Sequence, residues 1–156
     1  MSLWRIACTL DELNASSGGT LARHLDIVFS EIGADFLRGT MPVDTRTLQP
    51  TGLLHGGASV VLAETLGSTG ANLCVDQSTY LCVGQEINAN HVRSARSGRV
   101  TGTARPVHIG QRTQVWAIEI VDAAGRLVCV SRLTTAVVNR GPAARATQLT
   151  PLPSRP

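Results

Sequence analysis

Aromatic residues make up only 3% of the 156 positions, and lysine is missing altogether: all 14 basic residues are arginine. Proteins that recognise RNA or single strands stack bases on exposed aromatics along a basic face. A net charge of +3 without such aromatics therefore leads us to expect no nucleic-acid partner. No apolar run approaches the roughly 18 residues that cross a bilayer. The opening MSLWRIACTLDELNASS has no apolar stretch of signal-peptide length followed by a small-residue cleavage site. A cytoplasmic protein with no membrane association is expected. Cys8, Cys74, Cys82 and Cys129 form neither a CxxC nor a Cys/His cluster at zinc spacing, which points to free buried thiols. His91 and His108 lack carboxylates at ligand spacing, so no metal is expected, and no cofactor.

What remains is 43% hydrophobic and 16% charged, enough for one domain with an aliphatic core. Its most informative stretch is Gln49–Ser68, QPTGLLHGGASVVLAETLGS. A His-Gly-Gly turn opens a run in which Ala58, Val60, Val61, Leu62, Ala63 and Leu66 leave no clear polar stripe, so a helix starting near Gly57 should be packed on most of its circumference. Glu64 would then go inside. Burying an unpaired carboxylate costs several kcal/mol, so such a residue is either partnered or used. From the residues alone, a structural carboxylate paired with an arginine or backbone amides is the competing reading.

Along the chain, Thr9–Ser16 reads as a short helix capped by Thr9 with Glu12 at the capping-box position, followed by a Ser-Gly-Gly break. Leu25–Phe29 and Asp35–Met41 alternate around Gly33 as a strand pair would. Residues 42–54, with Pro42 and Pro50, form a loop into the long helix, which should end before the Asp76–Thr79 turn. Four strands follow, about Tyr80–Val92, Arg99–Ile109, Gln114–Val121 and Leu127–Val138, separated by Gly98, Gly110 and Asp122–Gly125. Short hairpins between them predict a four-strand antiparallel meander. One buried helix needs a sheet wrapped against it, so the fold class expected is α+β. Residues 1–140 form a single domain, and the stretch from Gly141, GPAARATQLTPLPSRP, reads as a flexible Pro-rich tail.

The segments QPTGLLHGGASVVLAE, GQEINANHVRSAR and RLTTAVV closely resemble the hotdog-fold acyl-CoA thioesterases of bacteria. The nearest group includes the 1,4-dihydroxy-2-naphthoyl-CoA hydrolases and the proofreading thioesterases of enterobactin synthesis, relatives of the Arthrobacter-type 4-hydroxybenzoyl-CoA thioesterases. The likeness runs from about Trp4 to Val138. It implies an antiparallel sheet wrapped around one long central helix, two subunits sharing a continuous sheet with active sites at their interface, and a dimer of dimers. It implies Glu64 as the catalytic carboxylate, acting across the interface, His55 and the Gly56 amide at the oxyanion, and Gln49 and Ser68 positioning water or carbonyl. Coenzyme A contacts fall on Gly84, on His91, Val92, Arg93 and Ser94, and on His108, Ile109, Gly110, Gln111, Arg112 and Thr113. Thr69 falls in the acyl pocket, where a bulky apolar residue is usual, and Gln85 stands where leucine is usual.

The chemistry fits those residue types. A thioester carbonyl becomes an oxyanion when attacked, and the first amides of a helix are unpaired donors at the positive end of its dipole. Glu64 can deprotonate water, or attack the carbonyl to form an anhydride that water opens; both routes stay open. Taken alone, His55 reads more simply as a loop cap, and Gln49 and Ser68 as ordinary hydrogen-bonding residues. Arg93 and Arg112 match phosphate positions, while Arg96, Arg99 and Arg105 read as a solvated face. The reaction expected is hydrolysis of an acyl-CoA thioester, with an aromatic acyl group. A carrier-protein thioester is the alternative substrate, and a non-catalytic acyl-CoA-binding module the alternative from another class. A hotdog hydratase would use a different His/Asp or His/Glu signature, which is not found.

Overall fold

A computed structural model describes residues 3–141. The expected tail thus lies, Gly141 excepted, outside the described residues. The chain runs α1 (Leu10–Ser16), α2 (Leu21–His24), β1 (Val28–Ile32), β2 (Leu37–Pro42), α3 (Gly56–Leu73), β3 (Tyr80–His91), β4 (Arg99–Ile109), β5 (Thr113–Val121) and β6 (Leu127–Asn139). The six strands make one antiparallel sheet in the order β1-β2-β4-β5-β6-β3.

α1 is closed by the capping box read from the sequence, the Thr9 hydroxyl accepting from Glu12 N and the Glu12 carboxylate accepting from Thr9 N. The first strand begins later than its alternation suggested. Leu21–His24 folds into a helical turn instead, and Asp26 takes a left-handed conformation (φ 53°). Leu25 and Ile27 are therefore buried as turn residues rather than strand residues. Likewise Gly33 N donates to Phe36 O at 2.8 Å, so that turn delays β2 to Leu37.

The larger departure concerns β3. It pairs with β6 along its length and not with β4, so the expected four-strand meander is in fact three strands, β4-β5-β6, with β3 added at the far edge. The reason is the 92–98 segment, which is no tight hairpin. Val92 N and Arg93 N both donate to Val128 O, Leu54 N donates to Ala95 O, and Val43 N to Gly98 O, which leads the chain across the end of the sheet before β4 begins.

The sheet wraps α3. Leu62, Ala63, Leu66 and Ala71 are fully buried against Met41, Val100, Trp116, Ile118, Ile120 and Leu133, each large side chain contributing about 1.5–3 kcal/mol by leaving water. With β3 on the edge, one flank of α3 is only partly covered. Gly57, Val61, Glu64, Thr65, Ser68, Thr69 and Asn72 recur at helical spacing and none is buried. Within one chain, then, the helix is not packed all round, and Glu64 is half-buried rather than enclosed.

Candidate active site

His55 ends the loop. A bridge between Leu48 and Leu54 and the bonds Gln49 N to Leu53 O (2.8 Å) and His55 N to Thr47 O (2.8 Å) fix its approach to α3. It is the N-cap: its Nδ1 accepts from Gly57 N at 2.8 Å, while its carbonyl accepts from Ala58 N and Ser59 N at 3.0 and 3.2 Å. A nitrogen that accepts carries no proton, so the neutral ring bears its hydrogen on Nε2. Three of the first four amides of the helix are thereby taken. Among the described residues the Gly56 N–H has no partner, which leaves one unoccupied donor at the positive end of an 18-residue helix.

A cleft of about 310 Å³ opens there, lined by Gln49, Gly56, Ser59, His91, Val92, Arg93 and Ser94. His91 leans over the helix start so closely that a Cβ on Gly56 would lie 2.7 Å from its Nε2. Ser59, buried one turn into α3, also lines this cleft. Nothing in its sequence context singled it out.

Glu64 lies eight residues further on. Its Oε1 accepts from Ser68 Oγ at 2.9 Å and faces Gly84 on β3, where an added Cβ would meet it at 2.3 Å. The ladder slips beside that contact: Gly84 pairs with Thr135 and Glu86 with Thr134, so Gln85 is the extra residue of a β-bulge. That accounts for a polar side chain at Gln85, which is exposed. Bulges bend a strand and re-aim its neighbours. Thr69 follows Ser68 on the half-buried flank of α3.

Eight residues of helix rise about 12 Å, whereas the carbon and oxygen of a carbonyl are about 1.2 Å apart. Within one chain, Glu64 and the Gly56 amide are therefore about two helical turns apart, far more than one carbonyl spans.

The remaining candidates lie elsewhere. Ile109, which follows His108 at the end of β4, and Gly110, Gln111 and Arg112, in the turn that leads to Thr113 of β5, line a second cleft of about 870 Å³ with Arg5, Cys74, Asp76, Tyr80, Gln114, Val137 and Asn139. It sits at the C-terminal end of α3, one helix length of about 27 Å from His91–Ser94. Arg99 and Arg105 are occupied, Arg99 by Asp26 at 3.0 Å and Arg105 by Asp35 at 2.7 Å. Burial disfavours the thiolate at two of the cysteines, pushing Cys74 up to about 12, helped by Cys82, and Cys82 up to about 11. No group of three or more His, Cys, Asp or Glu among the described residues could hold a metal ion. Nor is any helix among them long and apolar enough to cross a membrane.

A thioesterase of Pseudomonas aeruginosa, crystallised as a glutamine-to-alanine mutant, superposes with a TM-score of 0.87 at 53% identity, covering 88% of this chain and 99% of that one. A thioesterase of Haemophilus influenzae superposes with 0.86 at 48% identity, covering 88% and 95%. Fold and site thus define a hotdog thioesterase architecture, with an antiparallel sheet wrapped around one helix that carries an open amide at its start and a carboxylate on its flank. Residues 51–129 match the thioesterase superfamily. The 1,4-dihydroxy-2-naphthoyl-CoA hydrolase of Escherichia coli K12 is 58% identical over 87% of this chain and 99% of its own length, and the proofreading thioesterase EntH of Cronobacter sakazakii 50% over 87% and 98%. The chain belongs to the thioesterase superfamily, and its chemistry is thioester hydrolysis.

Proposed function

We propose that this protein hydrolyses aromatic acyl-CoA thioesters, of the dihydroxynaphthoyl or hydroxybenzoyl kind, at sites assembled between two copies of the chain. The observation that carries the reading is the open Gly56 amide, left free while His55 takes the next three. It donates to the thioester oxygen as charge develops there, and His55 keeps the helix start in shape for it. Glu64 comes from the other copy. Its carboxylate either takes a proton from water as the water oxygen attacks the carbonyl carbon, or attacks that carbon itself to give an anhydride that water opens. In both routes the C–S bond breaks, the acid is released, and the proton ends on the coenzyme A thiol. Ser68 holds the Glu64 carboxylate, and Gln49 and His91 face the acyl and thioester end. The scheme calls on no metal or cofactor.

The open edge of β3 supports this assembly: two such edges would pair antiparallel. Such a pairing would close over the partly covered flank of α3 and would reverse one helix against the other, bringing Glu64 of one copy towards Gly56 of its mate. A dimer of dimers would further cover exposed Val83, Val130 and Val138. Free thiols at all four cysteines suit the cytoplasm. Identity of 50% to a proofreading thioesterase favours one second reading, hydrolysis of acyl or aryl thioesters on a carrier protein.

Thiol release from a panel of aromatic and straight-chain acyl-CoAs, with wild type and Glu64→Gln side by side, tests the proposal. An aryl-CoA preference that falls roughly 100-fold or more in the variant is expected. Coenzyme A binding without hydrolysis of any member would instead indicate a carrier-protein substrate or a binding module.

A further inference from the structure

The cleft at the C-terminal end of α3 contains a residue that no motif marks. Arg5 lies on the N-terminal arm, which is docked by its main chain and by Trp4. Arg5 N and Ile6 N donate to Leu73 O at 2.9 and 3.2 Å, Trp4 Nε1 donates to Gly33 O at 2.7 Å, and the Trp4 ring stacks on Trp116 with centroids 6.3 Å apart. The Arg5 side chain has no part in that docking. It lines the same cleft as Arg112, together with Gln111, Tyr80 and Asn139.

Neither guanidinium is held in an ion pair. Arg38, Arg46, Arg99, Arg105 and Arg126 all make ion pairs, whereas Arg5 and Arg112 make none among the described residues. Asp76, in the same cleft, accepts from Ser78 Oγ at 2.6 Å and Ser78 N at 2.9 Å; these bonds, and more weakly the charge of Arg5, hold its carboxyl below the usual carboxylate range without an ion pair forming. Two planar forks flanked by side-chain amides match the geometry of phosphate oxygens. Val75, Ile109 and Val137 add apolar wall to the same cleft.

We propose that Arg5 is a phosphate-binding residue, closing with Arg112 on the phosphate end of coenzyme A. The inference rests on the acyl-CoA reading above and deepens it. In the antiparallel pair, this end of one helix stands at the same end as the Gly56 cleft of the other. The arm thus gives the nucleotide end of the substrate an anchor remote from the reacting carbon.

The test compares wild type, Arg5→Ala and Arg5→Lys by calorimetric binding of coenzyme A and of dephospho-coenzyme A, and by turnover of an aryl-CoA and of the matching aryl-pantetheine, which has no nucleotide. Because the arm is held by main chain and Trp4, Arg5→Ala should keep the wild-type melting temperature. Expected is roughly tenfold weaker coenzyme A binding and a similar rise in KM for aryl-CoA, an intermediate loss in Arg5→Lys, and unchanged kcat and KM for aryl-pantetheine. A wild-type contrast between the two coenzymes that disappears in Arg5→Ala would place Arg5 on the 3′-phosphate; a uniform loss would place it on the diphosphate. Wild-type affinity in Arg5→Ala, an equal loss with aryl-pantetheine, or no coenzyme A binding by the wild type would each overturn the assignment. Arg5-dependent binding without hydrolysis would overturn the proposed reaction and leave this site standing.

Discussion

The Glu64 carboxylate occupies the space that any side chain at position 84 would need, since a Cβ on Gly84 would lie 2.3 Å from its Oε1. Gly84→Ala must therefore move either the β3 edge at its bulge or the carboxylate. Overpacking of this kind costs about 1–3 kcal/mol, and a displacement of about 1 Å in a catalytic group can cost about 100-fold in rate. Turnover in steady-state kinetics should slow by roughly one to two orders of magnitude, while circular dichroism shows the fold retained.

Gly56 stands in the same relation to His91, since a Cβ added there would lie 2.7 Å from the imidazole Nε2. Gly56→Ala keeps the amide N–H, but its Cβ must displace the imidazole or the helix start, and a shift of about 1 Å in such a donor should slow turnover about 100-fold. Because the obstruction is the imidazole, His91→Ala in the same chain should restore part of the loss. A double-mutant cycle measures that coupling, and additive losses would show that the close contact is not what matters.

Val61 is half-buried on the partly covered flank of α3, one turn before Glu64. Val61→Asp would place like charges against each other in the proposed pair. The expected outcome is a monomer by light scattering with thioesterase activity lost, although Glu64, His55 and Gly56 are all intact.

Burial of Cys74 and Cys82 has a pH signature. Their thiols rise to about 12 and about 11, whereas in the unfolded chain they titrate near 8.5. Above that pH the unfolded chain sheds protons that the folded one retains. Stability from these groups is thus complete below about pH 8.5 and declines as pH climbs toward 11 and 12. Denaturant titrations at pH 8 and pH 10.5 should show the midpoint falling, and a Cys74→Ala/Cys82→Ala variant should show a smaller fall. At pH 8 both thiols should resist alkylation until the protein is unfolded.

Much of this molecule was legible because its signals are local. The Thr9/Glu12 capping box, the extent of β4 and the start of α3 behind His55 follow from residues adjacent in sequence. Where alternation misled, at Leu25 and Ile27, both residues are buried as expected but in a turn, since burial alternating with exposure is not unique to strands. The place of β3 was hidden for another reason. Which strand pairs with Tyr80–His91 depends on bonds from 92–95 to Leu54 and Val128, contacts between segments far apart in the chain. The site divides in the same way. His55, Gly56 and Glu64 are marked by one contiguous motif, whereas the bulge at Gln85, the buried Ser59 and Arg5 on its arm have significance only once the sheet has closed around α3. The half-exposure of Glu64 was misjudged because an apolar run does not reveal which flank of a helix its own sheet closes over, and Glu64 lies on the flank left partly open.

The central claim is that Glu64 and the Gly56 amide serve one thioester from two different chains. Subunit mixing tests it directly: Glu64→Ala and Gly56→Ala proteins, each nearly inactive, are unfolded together, refolded and assayed with an aryl-CoA. If sites form between copies, half of the randomly assorted pairs regain one intact site, and activity should recover to about a quarter of wild type. Recovery no greater than the mean of the two separate variants would contradict the shared site.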